Sequence, residues 1–462
     1  MLSRICFALV AAGSLVFAQP SRRTVSLIVT GGTVVTVDPA GRVLSPGAVA
    51  VDGRDIAAVD TPEAIAARFD ARESIDATGQ VVLPGLVNTH THAPMVLYRG
   101  LADDLPLMDW LQKYIFPAEA RTVTPEFVRA GTRLAALEMI QSGTTTYADM
   151  YYFEEEIAKV TREAGLRGVL GQTIIRFPVA DAKSPAEGLA RAEAFIKQFA
   201  GDDLIVPAIA PHAMYTLDTK TLRAVRALAD REHAPVLIHL AETADEGKNS
   251  LREHGASPTR YLESINFWGP RTVAAHGVWL SPADIAILAR RHVGVSHNPE
   301  SNMKLASGSA RVVAMRTAGV TVGLGTDGAA SNNDLDMFEA MRQAAFLAKL
   351  QTMDPRAVPA RTAVEMATIG GARVLGMDAQ IGSLETAKRA DLIVVSMGAA
   401  RQVPMYDPLS HLVYVTRGDD VRTTIVNGRV LMRDRKVLTL SEPAVLAEAR
   451  GLSARVKEAV RK

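Results

Sequence analysis

The sequence holds a single cysteine, Cys6, close to its N-terminus. It lies inside an apolar run, so a chain cut after that run carries no thiol, and disulfides and cysteine–metal sites are excluded. An excess of charge of one sign is also missing. The 51 basic and 50 acidic side chains leave a net charge of +1. No basic surplus is available to neutralise phosphates, which argues against nucleic acid as a partner. No low-complexity tract or short-period repeat interrupts the chain, and its dispersed charges read as a solvated surface. What is present is 462 residues, 48% of them hydrophobic. That is enough to bury a large core and too long for one small domain.

The N-terminus departs from this even composition. Arg4 precedes the apolar run ICFALVAAGSLVFA, and QPSRR follows it. A positive start, a short apolar stretch and small residues before a cut (Val16 and Ala18) describe a signal peptide over residues 1–18. The expectation is an exported protein, periplasmic or secreted, and a cytoplasmic one if the segment is not a signal. The run is too short for a comfortable membrane span. No small-residue-then-cysteine box follows it, so no stable membrane anchor is expected.

Beyond it, short β-like segments separated by glycine turns (SLIVTGGTVVTVD, AVAVDGRDIAAVD) are matched near the other end by ADLIVVSM and TTIVNGRVLMRDRKVLTL. Asn427-Gly428 in the last is a strong hairpin signal. These ends, 24–83 plus 386–440, predict one small β-sandwich domain, with a C-terminal helix over 441–462. Between them, residues 84–385 alternate apolar strands with amphipathic helices. The strand candidates are VVLPGLVN, TTTYAD, LRGVLGQTII, LIVPAIA, PVLIHL, TVAAH, HVGVS and VTVGLGT. Helix starts are marked by Thr124-Pro125, with Gly143 after the end, and by Ser281-Pro282. Eight such units predict a TIM (β/α)8 barrel, an α/β fold.

Chemistry in such barrels sits at the C-terminal ends of the strands, and the polar residues fall there. The first strand ends in His90 and His92, the second in Asp149. The third leads to Arg176, the fourth to His212, and the fifth ends at His239 with Glu242 just beyond. The sixth ends at His276; His297 and Asn298 follow the seventh, and Asp327 the eighth. In His90-Thr91-His92 the period of two puts both imidazoles on one face. With His239 and Asp327 they form three nitrogens and one carboxylate, a set suited to Zn2+ and also to Fe2+. A bound ion lowers the pKa of its water to about 7. Glu242, three residues past His239, is the proton shuttle that such a water needs. His276 can polarise the attacked atom, and Asp327 can accept a proton while ligating. Strand four, LIVPAIAPHA, has no lysine to bridge a second ion, so one divalent metal is expected.

The segments PGLVNTHTHAPM, HLAET, AAHGVWL and GTDGAASNNDLDMFEAMR resemble the amidohydrolase superfamily, in its single-metal, deaminase-type branch. APMVLYRGLADDLPLMDWL, PHAMYT and HNPESNMKLASG are similar to the loops of the 5′-methylthioadenosine/S-adenosylhomocysteine deaminase group. The likeness runs from about residue 26 to residue 440. It implies a hydrolytic deaminase of adenosine-type nucleosides with His90, His92, His239 and Asp327 as metal ligands and Glu242, His276 and Asp327 in catalysis. It further implies that Glu119 grips the ribose diol, since two carboxylate oxygens suit two vicinal hydroxyls. His212 falls near the ribose and Arg176 at the distal part of the substrate. Trp110 either covers the base or packs its own loop, and Asn302 and Ser331 either line the pocket or form turns.

The partner is thus a small nucleoside or heterocycle, and a homo-oligomer rests on analogy alone. Three rivals share the superfamily. Guanine or pyrimidine deaminases and s-triazine hydrolases have no use for a diol clamp at Glu119. A scaffold that had lost catalysis would show a broken ligand set, and an exported peptidase would want the missing lysine.

Overall fold

A computed structural model describes residues 22–461, so the expected signal peptide lies outside the described residues. Eight parallel strands form the central barrel: β1 (Leu86–Thr91), β2 (Thr144–Tyr151), β3 (Arg167–Ile174), β4 (Ile205–Pro211), β5 (Val236–Leu240), β6 (Thr272–His276), β7 (Gly294–His297) and β8 (Val322–Leu324). Neighbours in the sheet are neighbours in sequence. Each predicted segment supplies one strand, but VVLPGLVN is divided. Gln80–Pro84 pairs antiparallel with Leu392–Ser396 in a different sheet, and only Leu86 onward enters the barrel. Pro84 has no N–H to continue a ladder. A Cβ on Gly85 would lie 2.1 Å from Thr145 Oγ1, so only glycine lets the chain cross there.

The strands β1 and β8 end the hydrogen-bonded order, and side chains help to close the seam between them. Thr89 Oγ1 donates to Leu324 O at 2.8 Å and Asn88 Nδ2 to Thr326 Oγ1 at 2.7 Å. Asn88 Oδ1 accepts from Thr326 N at 3.1 Å, and His90 O from Asp327 N at 2.9 Å. The helices start where their caps dictate. Thr124 Oγ1 accepts from Phe127 N at 3.2 Å ahead of Pro125–Ser142, which stops at Gly143 with φ 87°.

Both chain ends build the second sheet. Its nine strands include Arg23–Val35, Val43–Asp52, Asp55–Asp60, Phe69–Asp76 and Gln80–Pro84 from the first end. Leu392–Ser396, Val421–Val426, Arg429–Arg433 and Lys436–Val437 come from the other. Arg23–Val35 pairs antiparallel with Val43–Asp52 along one edge and parallel with Phe69–Asp76 and Gln80–Pro84 along the other. Val29, Val49, Ile56, Val82, Leu392 and Ile425 share one core. The two layers expected of a sandwich are therefore arms of one continuous sheet. Asn427 (φ 51°) and Gly428 (φ 73°) make the predicted hairpin turn between Val421–Val426 and Arg429–Arg433.

This sheet is pinned to the N-terminal end of the barrel by a buried ion pair. Arg167, at the start of β3, gives Nε to Asp391 Oδ2 at 3.0 Å and Nη1 to Asp203 O at 2.6 Å. Asp391 Oδ1 also accepts from Asn427 N at 2.6 Å. The last helix, Glu442–Arg461, packs on Pro125–Ser142 through Arg133–Glu448 (3.1 Å) and Arg455–Glu126 (2.8 Å). Among the described residues no helix is long and apolar enough to cross a membrane.

Candidate active site

The opposite, C-terminal rim of the barrel gathers the predicted ligands. His90 is the last but one residue of β1 and His92 lies just past its end on the same face, with His239 on β5 and Asp327 three residues after β8. Asp327 Oδ1 lies 3.3 Å from His90 Nε2 and 3.2 Å from His92 Nε2. His92 and His239 bring their Nε2 atoms within 3.4 Å of each other. Ligand atoms of His90, His92 and Asp327 lie within 4.8 Å of one another, and so do those of His90, His239 and His276.

The hydrogen bonds behind the rings decide which nitrogen faces inward. His92 Nδ1 meets Met150 O at 2.7 Å and His239 Nδ1 meets His212 O at 2.7 Å. A carbonyl only accepts, so both Nδ1 atoms carry the proton and both Nε2 lone pairs turn into the cluster. His90 Nε2 is buried there, facing Asp327 Oδ1 without a well-formed hydrogen bond. Converging lone pairs beside a carboxylate need a cation. Burial alone would raise the Asp327 carboxyl, but His90 and His92 outweigh it and hold it well below the usual carboxylate range. Burial disfavours a proton on His92, yet the bond to Asp327 lifts that ring to about 9. Burial brings His90 down to about 4 and His212 to about 3. The donor set, imidazole nitrogens beside a carboxylate, fits a divalent ion of the zinc type.

Asp327 is fixed by a second circle of donors. Its Oδ2 accepts from Ser301 Oγ (2.7 Å) and Ser331 Oγ (2.9 Å), and its Oδ1 from Gly328 N (2.8 Å). It holds a left-handed φ of 62°, as His276 does at 74°, strained positions that the packed rim enforces. His276 Nδ1 lies 2.9 Å from Asn302 Oδ1, which turns Nε2 towards Glu242 Oε2 at 3.8 Å. Burial raises the Glu242 carboxyl above its ordinary value, opposed by the charge of His276.

These groups open into a cavity lined by His92, His212, His239, Glu242, His276 and Asp327, and by Trp110 and Glu119. Its roof is the segment after β1: helix Leu107–Trp110, a π-turn over Leu111–Ile115 and helix Phe116–Thr122. Leu107, Leu111, Ile115 and Phe116 face the cavity, and the same winding turns Glu119 inward. Glu119 is buried, and its Oε1 accepts from Tyr151 OH at 2.7 Å. Burial pushes its carboxyl up to about 7.

Other predicted residues fall elsewhere. Arg176 is exposed and lines a neighbouring cavity with Met214, Asp245, Asn249 and Glu253; Leu107 and Tyr215 border both spaces. Asn302 and Ser331 do not line the main cavity; they hold His276 and Asp327. Asp149 is buried beneath the rim, accepting from Ala93 N at 2.5 Å, and His297 is buried outside the cavity. Sequence reasoning missed Tyr151, Tyr215, Ser301 and Glu246. Only the last left a local trace, the Thr243-x-x-Glu246 pattern of a capping box.

A (β/α)8 barrel with two histidines closing its first strand, one on the fifth and an aspartate after the eighth defines a metal-dependent hydrolase of the amidohydrolase type. Residues 81–431 match the Amidohydrolase family, and the chain belongs to it. It is 48% identical over 93% of its length to a 5-methylthioadenosine/S-adenosylhomocysteine deaminase of Syntrophobacter fumaroxidans, covering 98% of that protein. A 5'-deoxyadenosine deaminase of Methanococcoides burtonii is 45% identical over 92% of this chain and 96% of its own. A crystal structure of an adenosine deaminase from Xanthomonas campestris with bound zinc superposes with a TM-score of 0.93. That chain is 41% identical, over 95% of this chain and all of its own.

Proposed function

We propose that this chain is a metal-dependent aminohydrolase of adenosine-type nucleosides, releasing ammonia and the inosine-type product from adenosine, 5′-methylthioadenosine or S-adenosylhomocysteine. The observation that carries the reading is one cavity lined by His92, His239, Asp327, the pair Glu242–His276 and a buried Glu119, with His90 packed against this cluster. The names of the relatives point the same way. His90, His92, His239 and Asp327 would hold one divalent ion, zinc in first place and ferrous iron in second, which supplies Lewis acidity and an acidified water. Glu242 takes a proton from the attacking water and delivers it to the ring nitrogen beside the amino carbon. His276, with Nδ1 committed to Asn302, presents Nε2 to the oxygen that becomes the product carbonyl. Asp327 relays a proton towards the departing ammonia. Glu119 accepts from the ribose hydroxyls, Trp110 and His212 pack around the nucleoside, and Arg176 meets a long 5′ substituent in the adjoining cavity.

The test is ammonia release by metal-quantified protein on adenosine, methylthioadenosine, S-adenosylhomocysteine, guanine, cytosine and a chlorotriazine. Turnover restricted to the ribosides is expected. Preference for a ribose-free heterocycle would overturn the reading and favour the guanine, pyrimidine or triazine branch.

A further inference from the structure

Glu246 stands one turn into the helix Ala244–His254, at the N3 position after the cap Thr243. In a capping box the N3 carboxylate reaches back to the N–H of the cap residue itself. Ser281 and Asp284 do this: Asp284 Oδ2 accepts from Ser281 N at 2.9 Å, and Ser281 Oγ from Asp284 N at 3.2 Å. Glu246 keeps only half of the pattern, its N–H going to Thr243 Oγ1 at 3.2 Å. Its carboxylate passes the cap. Oε1 accepts from Ala241 N at 3.0 Å and Oε2 from Glu242 N at 2.9 Å.

Those two amides belong to the link between His239, at the end of β5, and the side chain of Glu242. Ala241 is there in a left-handed conformation, φ 50°, which a non-glycine residue adopts only where its surroundings enforce it. The link bends back so that Glu242 enters the cavity, leaving two buried N–H groups that an isolated strand end would leave unpaired. Glu246 is itself buried, 7% exposed, and does not line the main cavity. Two oxygens on one carbon match two successive N–H groups.

We propose that Glu246 is a positioning residue that holds Glu242 in its working orientation by gripping the backbone of residues 241 and 242. The inference rests on the reading of Glu242 as the proton carrier. Glutamine at 246 keeps the size but replaces one acceptor by a donor facing an N–H, so one of the two grips is lost and repelled.

The test uses the full chain with its metal, comparing E246Q, E246D, S281A and E242Q. For E246Q, kcat is expected to fall roughly 10- to 100-fold with KM within about twofold of the parent, because a displaced proton carrier is felt in the transition state. Metal content stays at the parent level, and amide exchange at Ala241 and Glu242 speeds up. The loss is read with adenosine, which carries no 5′ extension to reach the adjoining cavity that Glu246 lines beside Arg176. S281A removes an ordinary cap, lowering Tm without touching kcat. If E246Q does not fold, E246D, which keeps the charge but withdraws it by one methylene, must show the same kcat loss and faster exchange. The proposal is overturned if kcat per bound metal is retained while only Tm falls, as in S281A. Full activity of E242Q would instead remove the underlying reading, so the two failures are distinguishable.

Discussion

Two buried charged clusters sit at opposite ends of the barrel, and they are finished differently. At the N-terminal end, Arg167 and Asp391 spend their polar atoms on each other, on Asp203 O and on Asn427 N. At the C-terminal end, Asp327 and its histidines are held from behind, while the Nε2 atoms of His90, His92 and His239 converge on one another and on Asp327 Oδ1. The first cluster is closed and structural. The second is a socket. The lesson is that burial and charge alone do not mark a site; the direction of the unused lone pairs does.

The contrast is broken or sharpened by substitution, in order of expected effect on turnover. Removing the ion with a chelator should abolish turnover and lower Tm, and zinc should restore both; unchanged activity in metal-free protein would end the socket reading. Glu242→Gln should retain metal and lose roughly 10²–10⁴-fold in kcat, read from ammonia release. Ser301→Ala or Ser331→Ala frees Asp327 from one rear donor and should weaken metal binding roughly 10- to 100-fold, measured by competition with a chromogenic chelator.

Glu119→Gln should raise KM for ribosides roughly 10-fold by removing a charged acceptor. Its pH dependence has a definite sign. The Glu119 carboxyl is raised by burial to about 7, so the ionised acceptor forms as pH rises through that value and KM falls; in Glu119→Gln this dependence disappears. Stability moves oppositely: the contribution of this group is full below its ordinary value and is lost as pH rises through about 7. A steady KM between pH 6 and 8 would contradict the assignment. The closed cluster behaves otherwise. Arg167→Met strands Asp391 and should cost about 3–5 kcal/mol of stability in urea titration, with kcat per folded molecule unchanged.

The gathering of His90, His92, His239 and Asp327 was legible in the sequence because the period of a strand and the rule that barrel chemistry sits at strand ends are both local. His90 and His92 alternate around Thr91, and Asp327 follows an apolar run, without any knowledge of what they meet. The division of the first strand candidate was not legible, since Pro84 and Gly85 look like a strand interior until Thr145 crowds them. Glu119 is carried inward by a π-turn that no simple helical spacing announces. Its tie to Tyr151 joins two elements 32 residues apart, and the rear donor Ser301 reaches Asp327 only through tertiary packing. Arg176 sits after the third strand as expected, yet its side chain belongs to the neighbouring cavity, because residues beyond a strand end follow the loop and not the barrel's pleat.

The seam between β1 and β8 carries one more consequence. Asn88 and Thr326, which bond across it, lie 238 residues apart in the chain. His90 and His92 are on one side and Asp327 on the other, so these ligands meet only when the ring is shut. Circularisation of this kind is a late, slow event, since a long loop must be ordered before its contacts reward it. On the proposed ligand assignment, an ion held from both sides of the seam would favour the closed ring and act as a clasp on assembly. Refolding with zinc present from the start should therefore raise the yield of closed protein while leaving the earliest collapse phase unchanged.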